Sequence, residues 1–405
     1  PCIMDARMKE FSQMKKRILI LTADAGYGHR SAANALAQSF DMQYGSACEC
    51  RIVNPVFEKS APVFLRNSQL NYDRTVMQSP GFYRFTYEAS DSMEISALVH
   101  QTMGMLLYKS MREMVTDYRP DAVITTYHSY EAAFDAVKAS KKMKTPFFCV
   151  VTDLTNVHKL WFRRTPDRLF VGSDTIQKEA IACGYPPEKI TVSGIPVNPA
   201  IAHETRSKPE IRRSLGWDES LPTLLIIGSR RVQHLAEDLR AIQSAGLPLQ
   251  VAVITGGDDE QYQQLHQTSW KMPVYLYPFV KNVPEMMLAA DMLASKAGGL
   301  VIAEGLACGL PILLIDALPG QEAGNVDFVC NNRVGQYVPA PDDLTNALQN
   351  WLAEDQRRMK EFSSRAGQFG KPHAADQIAR MIWEAAQLQP QSYHQYPIHR
   401  GMTHE

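Results

Sequence analysis

The stretch SKAGGLVIAEGLACGLPILLIDALPGQEAGN, residues 295–325, decides the fold class of this chain. Gly298 and Gly299 form a turn. The apolar positions after them repeat with the 3.6-residue period of a helix, and Gly309 ends this helix. The next run, 312–315, is apolar throughout, which is typical of a strand buried on both faces of a parallel sheet. The stretch therefore predicts an α/β unit with a polar loop at the carboxyl end of its strand.

The same stretch carries the pattern of an anion site. A helix that starts directly after two glycines points unpaired N–H groups outward, and no side chain blocks the approach of a diphosphate. Glu304 is a lone carboxylate on an otherwise apolar helix. It is suited to accept two hydrogen bonds from a ribose diol, each worth about 1.5–3 kcal/mol. A solvated or capping glutamate explains the same residue equally well.

Length, charge and cysteine content bound the class of protein. The chain has 405 residues and a formal net charge of −1. This length suits two domains, and scattered basic residues on a near-neutral chain argue against nucleic acid as a partner. The seven cysteines include no CxxC pair, so we expect a reducing compartment rather than a disulfide or zinc framework. We expect neither a secretion signal nor a membrane span of about 20 apolar residues.

Apolar runs that alternate with helical periods predict an α/β protein of two Rossmann-like domains facing a cleft. The expected divisions are an N-terminal extension (1–16), an N-terminal Rossmann-like domain (17–202), a charged linker (203–214), a C-terminal Rossmann-like domain (215–373), a C-terminal helix (374–388) and a disordered tail (389–405). Strands are predicted at 17–22, 50–54, 122–126, 147–152, 168–172, 224–227, 251–255, 274–276, 291–295 and 312–315, and helices at 30–40, 351–369 and 375–388.

The first predicted strand runs into the turn ADAGYGH, residues 23–29, and then into a helix. Only two glycines of the dinucleotide fingerprint are present, and no acidic residue follows at the expected distance, which argues against nicotinamide binding. Gly26 and Gly28 let the backbone turn sharply and place His29 at the helix start. The positive end of the helix dipole lowers the pKa of a histidine there, which favours the neutral form of a general base. A simple polar cap is the alternative.

Two further turns follow predicted strands. In VVTDLTNVHKLWF, residues 150–162, the strand runs into Asp153, and His158 follows. Functional side chains collect outside the carboxyl ends of strands in open α/β sheets, so both should share the crevice with His29. In the second half, Gly228 and Ser229 can present N–H and hydroxyl groups to a phosphate. The acidic turn at 257–259 is better explained by solvated charges than by a metal.

Residues 56–118 form a long insertion before the third predicted strand. It mixes aromatic, methionine and basic residues, namely Phe57, Phe64, Phe82, Tyr83, Phe85, Tyr87, Tyr108, Met93, Met103, Met105, Met111, Met114, Arg66, Arg74, Arg84, Lys109 and Arg112. Such a mixture can rest on a lipid surface, with rings at the headgroup level and cations near phosphates. A helical core explains most of the methionines at least as well, so we expect membrane contact from only part of the insertion.

Five motifs in this order resemble one family, the monogalactosyldiacylglycerol synthases and processive diacylglycerol glucosyltransferases. They are GYGH (26–29), VVTDLTNVHKLWF (150–162), GIPV (194–197), AGGLVIAEGLACGLP (297–311) and PGQEAGN (319–325). The resemblance runs from about residue 16 to 388, and it extends more distantly to the N-acetylglucosaminyltransferase that completes lipid II. It implies a GT-B fold and an inverting transfer from a UDP-sugar to a lipid hydroxyl at a membrane surface. By this resemblance, domain 17–202 contacts the acceptor and the membrane, and domain 215–373 binds the UDP-sugar.

The resemblance also implies roles for single residues. His29 is the candidate general base and Asp153 the second candidate. The implied acceptor-side residues are Gly26, Gly28, His158 and Trp161. The implied donor-side residues are Gly228 and Ser229 at a phosphate, Phe279 and Val280 at the uracil, Gly298 and Gly299 at the diphosphate, Glu304 at the ribose, Gln321 and Glu322 at the sugar, and Asn325. The chain departs from the family pattern at Ser229-Arg230-Arg231 and at Asn198.

The implied activity moves galactose or glucose to the hydroxyl of diacylglycerol or a related lipid and gives a β-glycoside. It requires no cofactor and no metal, because the helix end after Gly298 and Gly299 steadies the leaving diphosphate. We expect a cytoplasmic enzyme, peripheral on the cytoplasmic face of a membrane through part of 56–118. Three alternatives stay open: transfer of N-acetylglucosamine to another lipid, a UDP-sugar epimerase on the same fold, and a non-catalytic nucleotide-sugar binder.

Overall fold

The structure is a computed structural model that describes residues 15–24, 27–70, 91–232, 234–318, 320 and 322–388. Several predictions fall outside these residues. They concern most of the N-terminal extension, Gly26, the part of the insertion from 71 to 90, Gln321 and the tail 389–405.

The first domain is built on a sheet of six parallel strands in the order β2-β1-β3-β4-β5-β6. Its strands are β1 (Lys16–Leu21), β2 (Cys48–Val53), β3 (Ala122–Thr125), β4 (Phe147–Val150), β5 (Arg168–Val171) and β6 (Ile190–Val192). Its helices are α1 (Tyr27–Tyr44), α2 (Val63–Leu70), α3 (Met93–Tyr118), α4 (Glu131–Ser140) and α5 (Asp174–Ala182). Leu19 packs with α3 and α4 on one face of the sheet, and Ile18 packs with α1 on the other. Burial on both faces is the reason β1 is apolar without alternation.

A second sheet of six parallel strands, in the order β12-β11-β10-β7-β8-β9, forms the core of the second domain. Its strands are β7 (Thr223–Ile227), β8 (Gln250–Ile254), β9 (Val274–Tyr277), β10 (Met292–Lys296), β11 (Ile312–Asp316) and β12 (Gly335–Tyr337). The chain's remaining helices are α6 (Ala200–His203), α7 (Lys208–Leu215), α8 (Leu235–Ala245), α9 (Asp259–Gln267), α10 (Val283–Ala289), α11 (Gly299–Ala307), α12 (Ala323–Asn331), α13 (Pro341–Leu352), α14 (Arg357–Phe369) and α15 (Ala374–Gln387). The predicted α/β fold of two Rossmann-like domains is confirmed.

The predicted charged linker, 203–214, overlaps helix α7, and this is a correction. A capping box between Ser207 and Glu210 starts the helix. Ile211 is buried in the core of the second domain, and Arg212 is buried with an ion pair to Asp291. The charges that suggested a linker therefore cap the helix and tie it to the second domain.

The single helix predicted at 351–369 is also wrong in detail. The chain breaks after Leu352, and Glu354, Asp355 and Gln356 adopt positive φ angles before α14 begins. The break lets α14 fold back on α13, where the rings of Trp351 and Phe362 lie 5.0 Å apart. Neither glycine nor proline marks this break in the sequence, because packing imposes it.

Helix α15 returns to the first domain. Ile378 and Ile382 are fully buried against α1, and the ring of Trp383 stacks on Tyr44 with centroids 4.1 Å apart. Burying each such isoleucine contributes about 1.5–3 kcal/mol. The chain therefore crosses between the domains twice, once near α6 and once just before α15.

The two domains meet at the carboxyl ends of their central strands. Asn325 in α12 donates from Nδ2 to Asp153 Oδ1 at 2.9 Å, and Thr155 donates to Asn325 Oδ1 at 3.4 Å. A Cβ added to Gly324 would overlap Thr155 Oγ1 at 2.6 Å. The two loop clusters therefore touch across one cleft, as the predicted fold requires.

Candidate active site in the cleft between the domains

His29 lies in the first turn of α1, at the carboxyl end of the first sheet. Its Nδ1 is 2.8 Å from the hydroxyl of Thr152, and its carbonyl accepts a hydrogen bond from Thr126 at 3.1 Å. Burial lowers the pKa of His29 to about 4. The imidazole is therefore neutral at physiological pH, and with Nδ1 engaged by Thr152 it has Nε2 left to accept a proton.

An aromatic wall surrounds this histidine. The ring centroid of His29 is 5.0 Å from that of Tyr127 and 6.0 Å from that of Trp161. His128 packs edge-on against Trp161 at 5.1 Å, and burial holds its pKa well below the usual range. Neutral aromatic rings next to a candidate base suit a largely apolar acceptor that carries one hydroxyl.

Sequence reasoning missed Thr152, Tyr127 and His128. A signal for the last two was available, because they directly follow β3, a central strand flanked by β1 and β4. The rule that functional residues collect at carboxyl ends of strands applies to β3 as it does to β1 and β4. Thr152 belongs to the motif at residues 150–162, but only the tertiary structure shows that its hydroxyl contacts His29.

Asp153 directly follows Thr152, the partner of His29, and contacts the second domain. Its Oδ1 accepts hydrogen bonds from Asn325 Nδ2 at 2.9 Å and from the Leu154 backbone at 3.0 Å. Burial raises the pKa of Asp153 to about 6, and these hydrogen bonds oppose the rise. A Cβ added to Gly299 would overlap this carboxylate. Asp153 therefore adjoins the start of α11, and His29 lies beyond Thr152 in the same cleft.

The start of α11 carries a cluster of charged groups that favours anions. Lys296 Nζ and Arg231 Nη2 lie 3.3 and 3.6 Å from Glu322 Oε1. Lys296 and Arg231 therefore place two cations beside the N-terminus of α11, where they face the carboxylates of Glu322 and Asp153 and can turn to a bound anion. A register shift between Ser295 and Lys296 re-aims the lysine at the end of β10. Lys296 is a further residue that sequence reasoning missed, although it is a charged residue at the end of an apolar strand.

Glu322 is buried at the same place. Its Oε2 accepts a hydrogen bond from the backbone of Leu318 at 2.8 Å, which orients the carboxylate along with its two cations. Asn325 is 1% exposed, and its amide also donates to Ala297 at 2.9 Å. The structure thus gives Asn325 a role in joining the domains. Contacts of Glu322 and Asn325 with a donor sugar stay predictions.

Glu304 is a half-buried residue of helix α11. Burial raises its pKa to about 7, because the ionised form loses hydration. Carboxylates whose pKa is strongly raised by burial are concentrated at functional sites. The hydroxyl groups of a bound ligand would replace the hydrogen bonds to water that Glu304 loses on burial. The structure therefore favours the ligand-binding interpretation of Glu304 over the solvated one, and its contact with a ribose stays a prediction.

Replacing Glu304 by glutamine should separate stability from binding. The folded-state pKa of about 7 lies above the ordinary glutamate pKa of 4.5, so the ionised carboxylate destabilises the folded state progressively as pH rises through this range. Glu304→Gln should therefore raise Tm at pH 8 more than at pH 5, by an amount corresponding to at most about 3 kcal/mol. It should also weaken UDP binding at least about tenfold, or about 1.4 kcal/mol. Calorimetric titration with UDP and melting curves at both pH values check this; unchanged UDP affinity would remove Glu304 from the nucleotide site.

The remaining donor-side residues line the second domain's loops. A Cβ added to Gly228 would come within 2.7 Å of Leu235 and 3.1 Å of the Ile254 carbonyl. Ser229 accepts a hydrogen bond from the Arg231 backbone at 3.3 Å. Phe279 is 58% exposed, and Val280 packs partly on the domain core. An exposed aromatic ring beside these loops fits a base-stacking role, which stays a prediction.

Two other predicted features have local structural roles. His158 is buried, and its Nδ1 accepts a hydrogen bond from the Leu160 backbone at 3.1 Å. This bond caps the short helical turn that carries Trp161, and acceptor contact by His158 or Trp161 stays a prediction. Asp258 caps α9 by accepting from the backbone of Gln261 at 3.0 Å, which favours the turn over the metal pair.

Comparisons with known proteins agree with this geometry. The family model described as monogalactosyldiacylglycerol (MGDG) synthase matches residues 29–197, and that described as glycosyl transferases group 1 matches residues 207–369. A probable monogalactosyldiacylglycerol synthase, chloroplastic, of Nicotiana tabacum is 30% identical over 92% of this chain and 71% of its own length. The monogalactosyldiacylglycerol synthase of Spinacia oleracea is 29% identical over 91% and 72%. The crystal structure of Acinetobacter baumannii MurG superposes with a TM-score of 0.55 at 13% identity, covering 91% of this chain and 99% of that one.

Proposed function

Because the chain belongs to the monogalactosyldiacylglycerol synthase family, we propose that this glycosyltransferase moves galactose from UDP-galactose to the free hydroxyl of diacylglycerol. The product is a β-galactosyl glycerolipid. The observation that carries the proposal is the pairing, in one cleft, of a neutral, half-buried histidine with a helix N-terminus flanked by Lys296 and Arg231. The first suits deprotonation of a hydroxyl, and the second suits a departing diphosphate.

The proposed step is a single displacement. As the acceptor oxygen forms its bond to the anomeric carbon, its proton passes to Nε2 of His29. The bond from the anomeric carbon to the β-phosphate oxygen breaks on the opposite face, and its electron pair leaves with UDP. The first N–H groups of α11, together with Lys296 and Arg231, stabilise the charge that develops there. Attack opposite the leaving group converts an α-linked donor into a β-glycoside.

We assign the base to His29 rather than Asp153. The carboxylate of Asp153 adjoins Gly299, where the diphosphate is proposed to bind, and its Oδ1 already accepts two hydrogen bonds. An approaching anion would raise its pKa further and favour the protonated, non-basic form. Asp153 is better suited to hold the two loop clusters at the correct separation through Asn325.

The donor and acceptor are tested by product analysis. The purified enzyme is incubated with diacylglycerol vesicles and, separately, UDP-galactose, UDP-glucose or UDP-N-acetylglucosamine. We expect the β-galactolipid to form fastest. A β-glucolipid as main product would keep the mechanism and overturn the sugar, whereas conversion of the nucleotide sugar without any lipid product would indicate an epimerase.

The acceptor is proposed to enter from a membrane surface along α3. Among the described residues no helix has the length and apolarity of a membrane span. The first half of α3 instead exposes large apolar side chains among polar ones, with Leu98 62% and Met105 67% exposed, while Met111 is fully buried. His100 of α3 lies 3.0 Å from the carbonyl of Leu160, so this helix contacts the turn that carries Trp161. A peripheral enzyme on the cytoplasmic face of a membrane, where UDP-sugars are available, fits this arrangement.

Charging that face should weaken membrane binding without touching the chemistry. The double variant Leu98→Asp and Met105→Asp should bind vesicles that contain anionic lipid at least about tenfold more weakly, because two apolar side chains are lost from the interface. Co-flotation measures the bound fraction. The matched control is Met42→Asp on α1, where the native side chain is 54% exposed. Equal loss in the control, or none in the double variant, would place the membrane surface elsewhere.

A further inference from the structure

Two histidines and one aspartate meet where the chain crosses between the domains. His203 Nε2 lies 2.9 Å from Asp376 Oδ2, and His373 Nδ1 lies 3.4 Å from the same oxygen. One donor atom from each of the three side chains falls within 4.8 Å of the others. None of the roles assigned to the cleft involves these residues, and no sequence motif marks them.

The three ligand atoms lie within about 0.5 Å to 1.5 Å of the separations that a divalent transition metal requires. With bonds of about 2.0–2.2 Å, neighbouring ligand atoms in a tetrahedral zinc site lie roughly 3.3–3.5 Å apart. Two imidazole nitrogens and one carboxylate oxygen form a ligand set that zinc accepts, and that magnesium and calcium, which prefer all-oxygen sites, do not. Small rotations of the two histidines suffice to admit the ion, because both rings are exposed.

A supporting shell holds the aspartate in place. Ser39 Oγ in α1 donates to Asp376 Oδ1 at 2.6 Å, which leaves Oδ2 facing the histidines. Gln43 Nε2 donates to Ser39 Oγ at 2.8 Å and to the Asp376 carbonyl at 3.2 Å. Carboxylate ligands in metal sites are commonly oriented by such second hydrogen bonds.

The cluster joins three parts of the chain. His203 ends α6, where the chain leaves the first domain, and His373 and Asp376 lie where it returns in α15. Ser39 adds α1 of the first domain. An ion bound here would tie both crossings to that domain.

We propose that His203, His373 and Asp376 form a zinc-type metal site at the domain crossing, with water in the fourth position. The site is structural, because it lies outside the cleft residues that contact substrate in the proposed mechanism. Its occupancy is independent of which sugar or lipid the enzyme uses.

The test is zinc titration of the full-length protein after treatment with a chelator. Calorimetry should show one Zn²⁺ per chain with Tm rising on binding, whereas Mg²⁺ and Ca²⁺ should give neither effect. His203→Ala and His373→Ala should each weaken zinc binding at least about a hundredfold. Ser39→Ala, which removes only the supporting hydrogen bond, should weaken it about 10- to 100-fold. Cobalt substitution reports coordination by its visible spectrum.

His266→Ala is the matched control, since it removes an exposed histidine of α9 outside the cluster, and it should bind zinc as the wild type does. Zinc bound by the histidines of the tail would persist in all variants. If zinc stoichiometry and affinity are the same in His203→Ala, His373→Ala and the wild type, or if no zinc binds at all, the three side chains form only an ion-pair network and the proposal is overturned.

Discussion

Replacing His29 by alanine should lower kcat for lipid glycosylation by about 10²–10⁴-fold, the usual contribution of a general base, and leave UDP affinity unchanged. The side chain lies in the first domain beside Thr152, whereas the proposed nucleotide site lies in the second. Initial rates with saturating donor give kcat, and calorimetry gives the UDP affinity. Preserved turnover in His29→Ala would reassign the base.

The pH profile distinguishes the two candidate bases. The pKa of His29 is lowered to about 4, and that of Asp153 is raised to about 6. Either group must be unprotonated to accept a proton, so the rate falls as pH drops through the pKa of the base. We expect kcat to stay level from pH 8 down to about pH 5 if His29 is the base. A fall centred at pH 6 or above would indicate Asp153 instead, since the bound diphosphate raises its pKa further.

Thr152→Val serves as the control for position. It keeps the imidazole but removes the hydroxyl that holds Nδ1 at 2.8 Å. The resulting loss in kcat should be smaller than that in His29→Ala, and the acid limb should shift, because the tautomer is no longer held. A Thr152→Ser variant should restore the wild-type profile, which a purely structural role of the threonine methyl group would not allow.

The second large effect is expected from Gly299→Ala. A Cβ at this position would overlap the Asp153 carboxylate and lie 3.1 Å from the Asp153 Cα. Because that neighbour is backbone of the other domain, the two loop clusters must separate. Displacement by about 1 Å at a reacting centre can cost a hundredfold in rate, so we expect kcat to fall by about that factor. Steady-state kinetics on the lipid acceptor measures it.

Gly367→Ala is the control for a glycine change within a helix. It lies in α14, and an added Cβ would meet no atom within 4 Å. Alanine should leave the rate unchanged and stabilise the protein by up to about 1 kcal/mol through helix propensity. Wild-type turnover in Gly299→Ala would show that catalysis does not use the closed contact between Asp153 and α11.

Much of the fold was predictable because a parallel strand that is buried on both faces has a continuous apolar sequence. The runs at β1, β7 and β11 are apolar throughout, and the glycine turns after β1 and β10 mark where helices begin. The insertion was predictable only in part: Met111 and Met114 are core residues, while Met93 and Met105 face outward, and the mixed composition does not distinguish them.

The candidate site, like the insertion, was predictable only in part. The motifs identified His29, Asp153, Glu304 and Glu322, because polar residues that interrupt or follow apolar runs are conspicuous. They did not identify Lys296, whose direction depends on a register shift at the end of β10. Nor did they show that Asn325 reaches Asp153, 172 residues away along the chain.

By itself the sequence determined two parallel-sheet domains, the turns that carry the site and the resemblance that implies the chemistry, since these depend on local periodicity and on motifs within a few residues. Only the tertiary structure decided which groups meet: Thr152 with His29, Lys296 and Arg231 with Glu322, and His203 with His373 and Asp376. The reason is physical. Contacts between distant segments follow from how the helices cover the sheets and where the chain recrosses the cleft, and no local pattern records either.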